Sequence, residues 1–307
     1  MKQQDRILAL IFLVLWLLPC ELPARGLIRA DSMIVVLLGT GMPRPNPEAS
    51  GPATAVVVGD QVLLFDAGPG VERQLSAAHL PINGVTALFI THLHSDHTLG
   101  YPDLIFTSWV MGRKKPLEAY GPVGLQKMTN HLLAAYGEDI AVRIQGLEHQ
   151  TPGGYRVNVH EIRSGVVYKK MGVKVTALPV PHGNWGVSLA YRIDTADKSV
   201  VISGDTRYNE DLVRFAFGTD ILVHEVYSAA RLKPEPRPGG EDWPKYMHEF
   251  HTSDTELGAL AAKIRPKVLV LTHIIRMGAS DEELMTGIRK GGFEDRIVVG
   301  RDLERIR

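Results

Sequence analysis

Four residues that can bind a metal lie within six positions of one another, directly after a predicted strand. The strand covers residues 85–90, whose apolar and β-branched side chains are typical of a buried strand. Imidazole and carboxylate ligands together favour zinc or a similar first-row divalent ion. We therefore expect a fold in which the end of this strand faces a cleft, where the four side chains converge. They are His92, His94, Asp96 and His97.

Three more candidate ligands follow other predicted strands. His182 comes after residues 175–181, Asp205 after Ser199–Ser203, and His273 after Val268–Leu271. Taken singly, a histidine after a strand is more often a structural residue than a ligand. Because rigid scaffolds present functional groups just beyond their strand ends, the three residues together with the first cluster indicate one metal centre.

Composition limits the classes of protein that the chain can belong to. Its 307 residues are 45% hydrophobic, which is enough for one large domain with a sizeable core. Lys+Arg and Asp+Glu both number 34. This balance excludes a basic field over the whole surface for gripping nucleic acid, although a local basic patch stays open. The single cysteine, Cys20, excludes an intramolecular disulfide.

The N-terminus has the pattern of an export signal. Lys2 and Arg6 precede the apolar stretch Ile7–Leu18, which Pro19 and Pro23 interrupt. The stretch is shorter than the roughly 20 residues of a comfortable membrane span. We predict a signal peptide over residues 1–30, or a membrane anchor if it stays uncleaved, and an exported, periplasmic or secreted domain over 31–307. A buried N-terminal helix is the alternative.

From Met33 onward, strands alternate with Gly/Pro turns and helices in both halves of the chain. Ala53–Val58 and Gln61–Phe65 read as a hairpin, and Ser253 and Ser280 are typical caps for two late helices. We predict an α/β fold in which two mixed sheets pack face to face with helices outside. The proline-rich composition of Lys233–Trp243 predicts an irregular loop. This loop is either a mobile flap or an inert connection. The pattern assigns no role to residues 233–247.

The ordered candidate ligands resemble the metal motif of the metallo-β-lactamase superfamily. Within it, the chain is most similar to the ribonuclease Z-like branch, over about residues 33–300. Arylsulfatase-like and β-lactam-hydrolysing relatives share much of the pattern. The resemblance implies the αββα sandwich of that superfamily. The branch-specific matches are Leu38-Gly39-Thr40-Gly41, Phe65-Asp66-Ala67-Gly68, Tyr120-Gly121-Pro122, His224-Glu225 and His251-Thr252.

The resemblance also implies two Zn²⁺ ions, with iron or manganese compatible with the same ligand types. The first ion would bind His92, His94 and His182. The second would bind Asp96, His97 and His273, and Asp205 would bridge the two. Asp66 is similar to an acid that orients a ligand imidazole in this superfamily. Its alternative role is to cap the helix that follows Gly70.

For catalysis, the resemblance implies phosphodiester hydrolysis by a metal-activated hydroxide. Asp96 would orient the hydroxide while it binds metal. Glu225 and His251 resemble the pair that protonates the leaving group, with the carboxylate keeping the imidazole protonated. His248 is a rival for the acid role, and an ordinary ion pair is the alternative for Glu225 and His251.

Three functions follow from these residues. The first is a ribonuclease Z-like phosphodiesterase that cuts precursor tRNA, with an RNA 3′ end as its partner. The second is an exported hydrolase of small esters, of arylsulfatase, lactonase or β-lactamase type. The third is a non-catalytic metal-binding protein. Between Gly121 and His182 no Gly/Pro- and Lys/Arg-rich arm for tRNA is evident, and the leader favours the second function. Relatives imply a homodimer, and membrane contact is expected only through an uncleaved N-terminal segment.

Overall fold

The computed structural model describes residues 33–307. The predicted leader over residues 1–30 and Cys20 lie outside this range, so the leader stays a prediction. Within residues 33–307, no helix combines the length and apolar character that crossing a membrane requires.

The described residues form fourteen strands and nine helices, together with two short 3₁₀ turns. The strands are β1 (Met33–Gly39), β2 (Ala53–Val58), β3 (Gln61–Phe65), β4 (Val85–Phe89), β5 (Leu117–Gly121), β6 (Val157–Glu161), β7 (Gly165–Lys170), β8 (Val173–Val180), β9 (Ser188–Asp194), β10 (Ser199–Ile202), β11 (Ile221–Tyr227), β12 (Val268–Ile275), β13 (Arg296–Val299) and β14 (Arg305–Ile306). The helices are α1 (Val71–Ala77), α2 (Ser95–Thr98), α3 (Tyr101–Val110), α4 (Leu125–Ala135), α5 (Gly137–Gln145), α6 (Glu210–Ala216), α7 (Trp243–Phe250), α8 (Asp254–Ile264) and α9 (Asp281–Lys290).

The strands make two seven-stranded mixed sheets. The first has the order β14-β1-β2-β3-β4-β5-β6, and the second has the order β13-β12-β11-β10-β9-β8-β7. In the first sheet, β3 to β6 run parallel and the remaining pairs are antiparallel. In the second sheet, β10 to β13 run parallel and the remaining pairs are antiparallel. The predicted class, two mixed sheets with helices, is therefore confirmed.

Three hydrophobic clusters fill a four-layer sandwich. The central one packs alternate side chains of the two sheets against each other, such as Val35 and Phe89 from the first and Tyr191 and Val270 from the second. A second cluster lies between the first sheet and helices α1, α3 and α4, and a third lies between the second sheet and α6, α8 and α9. Because strand side chains alternate, each sheet can bury both of its faces in this αββα order.

Two of the helices that the sequence prediction missed, α3 and α7, carry a proline in the first turn. α3 begins at Tyr101, and α7 begins at Trp243, inside the stretch predicted to be irregular. Proline is tolerated there because the first amides of a helix have no partner within it. The Asp242 side chain caps α7 by accepting a hydrogen bond from the Lys245 amide. The predicted irregular loop therefore ends at Asp242.

A single carboxylate near the C-terminus ties together segments that are distant in sequence. Asp302 Oδ1 accepts hydrogen bonds from the Thr40 amide and hydroxyl, at 2.9 Å each. Its Oδ2 accepts from the Ser50 amide at 2.7 Å and from Gln74 Nε2 at 2.6 Å. These contacts fix the loop between β1 and β2, which borders the cleft described below.

Candidate metal centre

The candidate ligands come from four strand ends that meet at one edge of the sandwich. The run after β4 enters the short helix α2, which turns Asp96 and His97 inward. His182 follows β8 and Asp205 follows β10, as predicted. His273 differs, because β12 continues through it to Ile275. His273 has φ of 42°, and the β11–β12 register shifts beside it.

Three imidazoles converge in the first cluster. His94 Nδ1 lies 2.8 Å from His92 Nε2 and 3.2 Å from His182 Nε2. Asp205 Oδ2 lies 4.0 Å from both His92 Nε2 and His182 Nε2. Tetrahedral zinc, with metal–nitrogen bonds of about 2.0–2.1 Å, separates neighbouring donor atoms by roughly 3.3 Å. The spacing of the three nitrogens is close to that value.

The second cluster shares Asp205 with the first. His97 Nε2 lies 3.5 Å from Asp96 Oδ2 and 3.5 Å from Asp205 Oδ1. His273 Nε2 lies 3.3 Å from Asp96 Oδ2 and 3.4 Å from Asp205 Oδ2. Because Asp205 faces both clusters, the arrangement suits two ions with one carboxylate between them. The predicted ligand grouping is thus brought together in space.

Hydrogen bonds at the outer nitrogens orient two of the rings. His97 Nδ1 donates to Asp66 Oδ2 at 2.8 Å, and His182 Nδ1 donates to the Phe250 carbonyl at 2.7 Å. His97 Nε2 is buried and has no hydrogen-bond partner within residues 33–307. A buried polar atom without a partner is unfavourable, so this lone pair fits a cation in the cluster.

Asp66 performs the orienting role implied by the resemblance. Besides His97, it accepts hydrogen bonds from the Thr91 amide and hydroxyl, at 2.8 and 2.9 Å. The Thr91 hydroxyl lies 2.9 Å from His92 Nδ1, whose N–H can donate to it. Helix α1 begins after Gly70 and has no side-chain cap. The alternative role of Asp66 as that cap is therefore wrong.

The buried carboxylates of the two clusters stabilise a positive charge at the point where the ligand atoms converge. Burial lowers the pKa of His92 well below its ordinary value and that of His182 to about 4, so both rings are neutral ligands. Burial would raise the pKa of Asp205, but the His273 and His97 charges hold it well below its usual range. Burial would also lower the pKa of His97, but the Asp205 and Asp66 carboxylates raise it well above normal. A cation here would replace that proton.

Glu225 and His251 form a buried pair beside the clusters. His251 Nδ1 lies 3.0 and 3.1 Å from the two Glu225 carboxylate oxygens and 3.9 Å from Asp205 Oδ2. Glu225 Oε1 also accepts from the Thr206 amide at 3.0 Å. His248, the rival acid, is exposed and hydrogen-bonded to Tyr227.

The protonation of this pair differs from the sequence expectation. Burial lowers the pKa of His251 to about 4, so the carboxylate does not keep the resting imidazole charged. Burial, with the Asp205 charge, raises the pKa of Glu225 well above its usual range. Both directions favour a pair that shares one proton and separates little charge. Glu225 therefore orients His251 instead of charging it.

A cleft of about 1180 Å³ opens onto the centre. Its floor includes His94, Asp96, Asp205, His251 and His273. Its rim carries six cationic side chains, namely Arg44, Arg231, Lys233, Arg237, Arg276 and Arg301. Within residues 33–307, Arg44 and Lys233 have no carboxylate within ion-pair distance. The cleft therefore combines a metal-binding floor with free positive charge at its mouth.

Two aromatic residues near the centre received no specific role from the sequence. Trp185 Nε1 lies 2.5 Å from His94 Nε2, and Tyr246 lines the cleft. The sequence does not distinguish pocket lining from core packing for such aromatic residues, and Trp109, by contrast, is fully buried in the core. No local motif marks Trp185 or Tyr246, because their positions depend on contacts between distant segments.

Comparisons with known proteins agree with this geometry. A family model described as a β-lactamase superfamily domain matches residues 61–274. The protein named ribonuclease Z from Mycobacterium bovis (strain BCG / Pasteur 1173P2) is 34% identical over 277 residues, covering 89% of this chain and 97% of that protein.

Two solved structures share the fold. The metallo-β-lactamase fold protein YhfI from Bacillus subtilis superposes with a TM-score of 0.71 at 19% identity, covering 90% of this chain and all of that one. Human tRNase Z, short form, superposes with a TM-score of 0.69 at 24% identity, covering 90% and 99% of the two chains.

Proposed function

This chain belongs to the β-lactamase superfamily and is a ribonuclease Z-like hydrolase, and on that premise we propose that it cleaves phosphodiester bonds near the 3′ end of RNA, using two zinc ions. The observation that carries the proposal is the buried Glu225–His251 pair, 3.9 Å from the shared carboxylate of Asp205. A poor leaving group such as a ribose alkoxide needs a proton donor, and this pair is placed to supply one.

The charge around the cleft supports a polyanionic substrate. The whole chain has no net charge, whereas outside the ligand clusters six cationic side chains and four carboxylates (Glu48, Glu235, Glu241 and Asp302) line this opening. Arg44 and Lys233 have no carboxylate partner within residues 33–307 and are free to meet phosphates. Such contacts hold a nucleic acid without reading its sequence.

The donor atoms support zinc. The two proposed ligand sets contain five imidazoles and two carboxylates, His251 adds a sixth imidazole beside them, and no thiolate is present among residues 33–307. Zinc accepts this mixture readily, although iron and manganese tolerate it as well. When bound, two ions supply a nucleophile at neutral pH and stabilise charge on the phosphoryl oxygens.

Metal binding, ligand orientation and proton transfer would be carried out by different residues of the chain. His92, His94 and His182 would hold one ion, and Asp96, His97 and His273 the other, with Asp205 between them. Asp66 and Thr91 fix the orientation of His97 and His92. Asp96 borders the cleft floor, where it can accept a hydrogen bond from the attacking water. His251 would pass its Nε2 proton to the leaving oxygen while Nδ1 takes up the proton shared with Glu225, which also holds the ring in place.

The proposal is tested with purified protein reconstituted with Zn²⁺. The substrates are precursor tRNA with a 3′ trailer, bis(p-nitrophenyl) phosphate, an aryl sulfate, a lactone and a β-lactam. We expect metal-dependent cleavage of the phosphodiesters and position-specific cutting of the RNA. Cleavage of only the sulfate, lactone or β-lactam would contradict the proposal. Metal analysis of the protein as isolated from cells tests zinc separately.

A second candidate is an exported hydrolase of small esters. The observation that favours it is the basic and apolar N-terminal segment, Lys2 to Leu18, which has the pattern of an export signal. We propose export to the periplasm or the medium as part of this reading. Fractionation of cells, with the mature N-terminus mapped by mass spectrometry, tests it. Full-length protein in the cytoplasm would overturn export and favour the RNA substrate.

A further inference from the structure

Tyr246 stands in the wall of the cleft with its ring fixed by two other rings. Its centroid lies 5.4 Å from that of Trp243 with 10° between the planes, and 4.2 Å from that of Phe250 with 15° between them. All three project from one side of helix α7, because they are spaced by three and four residues. Packing between these two rings holds the whole Tyr246 side chain in place, so its hydroxyl has a defined position.

The proline-rich loop supports the outer end of this stack. The Arg237 guanidinium lies 4.0 Å from the Trp243 ring centroid. Arg237 is itself held by Glu235 at 2.9 Å and Glu241 at 3.2 Å. The sequence allowed this loop to be either a mobile flap or an inert connection. These contacts show that it supports helix α7.

The Tyr246 hydroxyl is available to a substrate. Its ring centroid lies 6.0 Å from that of His251, and the residue lines the cleft together with Asp96 and Asp205. The fully buried tyrosines Tyr101 and Tyr191 each have a hydroxyl partner, whereas within residues 33–307 no protein atom hydrogen-bonds the Tyr246 hydroxyl.

The hydroxyl also keeps its proton. Burial, together with the nearby carboxylates of Asp205, Asp96 and Glu225, raises the pKa of Tyr246 to about 12. A protonated phenol is a hydrogen-bond donor. It does not compete as an acid with His251, whose proton is shared with Glu225.

We propose that the Tyr246 hydroxyl donates a hydrogen bond to a non-bridging oxygen of the phosphoryl group and stabilises the charge that develops there during hydrolysis. The inference rests on the proposed phosphodiesterase function and adds a catalytic residue to it. No proton is transferred, because the hydroxyl keeps its hydrogen throughout. A preorganised donor facing a cleft is the arrangement that lowers the barrier of such reactions most directly.

The test is the variant Tyr246→Phe, which keeps the ring stack and removes only the hydroxyl. Tyr136→Phe, an exposed position between α4 and α5, is the matched control. With the zinc-loaded protein and bis(p-nitrophenyl) phosphate, we expect Y246F to lower kcat/KM by about tenfold to hundredfold, mainly through kcat. Zinc content and melting temperature should match the wild type, and Y136F should behave as the wild type.

A binding measurement separates this inference from the proposed function. Inorganic vanadate, a phosphoryl analogue, is titrated calorimetrically into each zinc-loaded protein, and we expect its Kd to rise about tenfold in Y246F. If wild-type protein cleaved no phosphodiester, the proposed function would fail, and vanadate binding alone would decide the role of Tyr246. Unchanged kcat/KM and unchanged vanadate Kd in Y246F would overturn the inference.

Discussion

His251 points its Nδ1 between the two carboxylate oxygens of Glu225, at 3.0 and 3.1 Å, and both residues are buried. Such a contact fixes the ring so that its other nitrogen, Nε2, is free to act on a substrate. Glu225 is fixed in turn by the Thr206 amide. The pair is therefore held in the geometry that the proposed role as proton donor requires.

Replacing His251 by Ala should affect substrates according to their leaving groups. For RNA or an alkyl ester we expect a loss of about 10²- to 10⁴-fold in kcat, because an alkoxide must be protonated as it leaves. For p-nitrophenyl esters the loss should be below about tenfold, since that leaving group departs as an anion. Steady-state kinetics over a series of leaving groups measures the difference. Equal losses across the series would contradict a role as acid.

Replacing Asp205 by Ala should remove metal from both clusters. The carboxylate faces His92, His182, His97 and His273 at 3.4–4.0 Å, so neither set is complete without it. We expect metal content below one ion per chain by elemental analysis and no detectable hydrolysis. Asp197→Ala, at an exposed turn, is the control and should keep both ions. Full activity in D205A would exclude a shared carboxylate.

Glu72 gives a pH dependence of stability that is independent of the metal centre. It is buried in α1, and neither carboxylate oxygen has a hydrogen-bond partner within residues 33–307. Burial, with the nearby Asp103 charge, raises the pKa of Glu72 from 4.5 to about 8, while Arg113 opposes the shift. The folded protein thus retains this proton where the unfolded chain loses it. The contribution of Glu72 to the free energy of unfolding is therefore fully present below about pH 4.5. It is lost progressively as the pH rises towards 8.

The variant Glu72→Gln should abolish the decrease in the free energy of unfolding that accompanies a rise in pH. Between pH 6 and 8, the free energy of unfolding of the wild type should drop relative to E72Q by on the order of 2–3 kcal/mol. Urea denaturation at several pH values measures it, with the exposed Glu138→Gln as the control. Parallel pH profiles for wild type and E72Q would refute a protonated Glu72.

The two capping boxes offer a paired test. Ser253 caps α8 and Ser280 caps α9, each through reciprocal hydrogen bonds with a glutamate three residues on. Each change to Ala should destabilise the protein by about 1 kcal/mol. Ser253 lies two residues after His251, so only S253A should also lower kcat. Denaturation and kinetics of the two variants are compared, and an equal effect on kcat would show that the cap does not position His251.

Much of the site could be predicted because its residues follow strands in short, recognisable runs. His92 to His97 are almost contiguous, and Asp205 directly follows a strand that apolar residues mark clearly. Local pattern could not place His273 inside β12, since the strand continues through one residue of left-handed backbone.

Two of the missed helices, α3 and α7, were missed for a common physical reason. Pro102 and Pro244 read as breaks in a pattern, but at the start of a helix they are compatible with it. Because α7 was missed, the position of Tyr246 in the cleft beside the candidate ligands was missed as well. The orientation of its ring is set by stacking and by the contact of Arg237 with Trp243. Such contacts depend on tertiary structure and leave no short motif.

The four hydrogen bonds of Asp302 have a consequence for the order in which the molecule can be made. The loop that borders the cleft, around Thr40 and Ser50, leaves the ribosome about 250 residues before the carboxylate that fixes it. Strand β1 likewise has no partner on its outer side until β14 has been synthesised. The ligand His273, like Asp302, belongs to the last part of the chain to be made. The ligand set and the wall of the cleft are therefore both completed only near the end of synthesis.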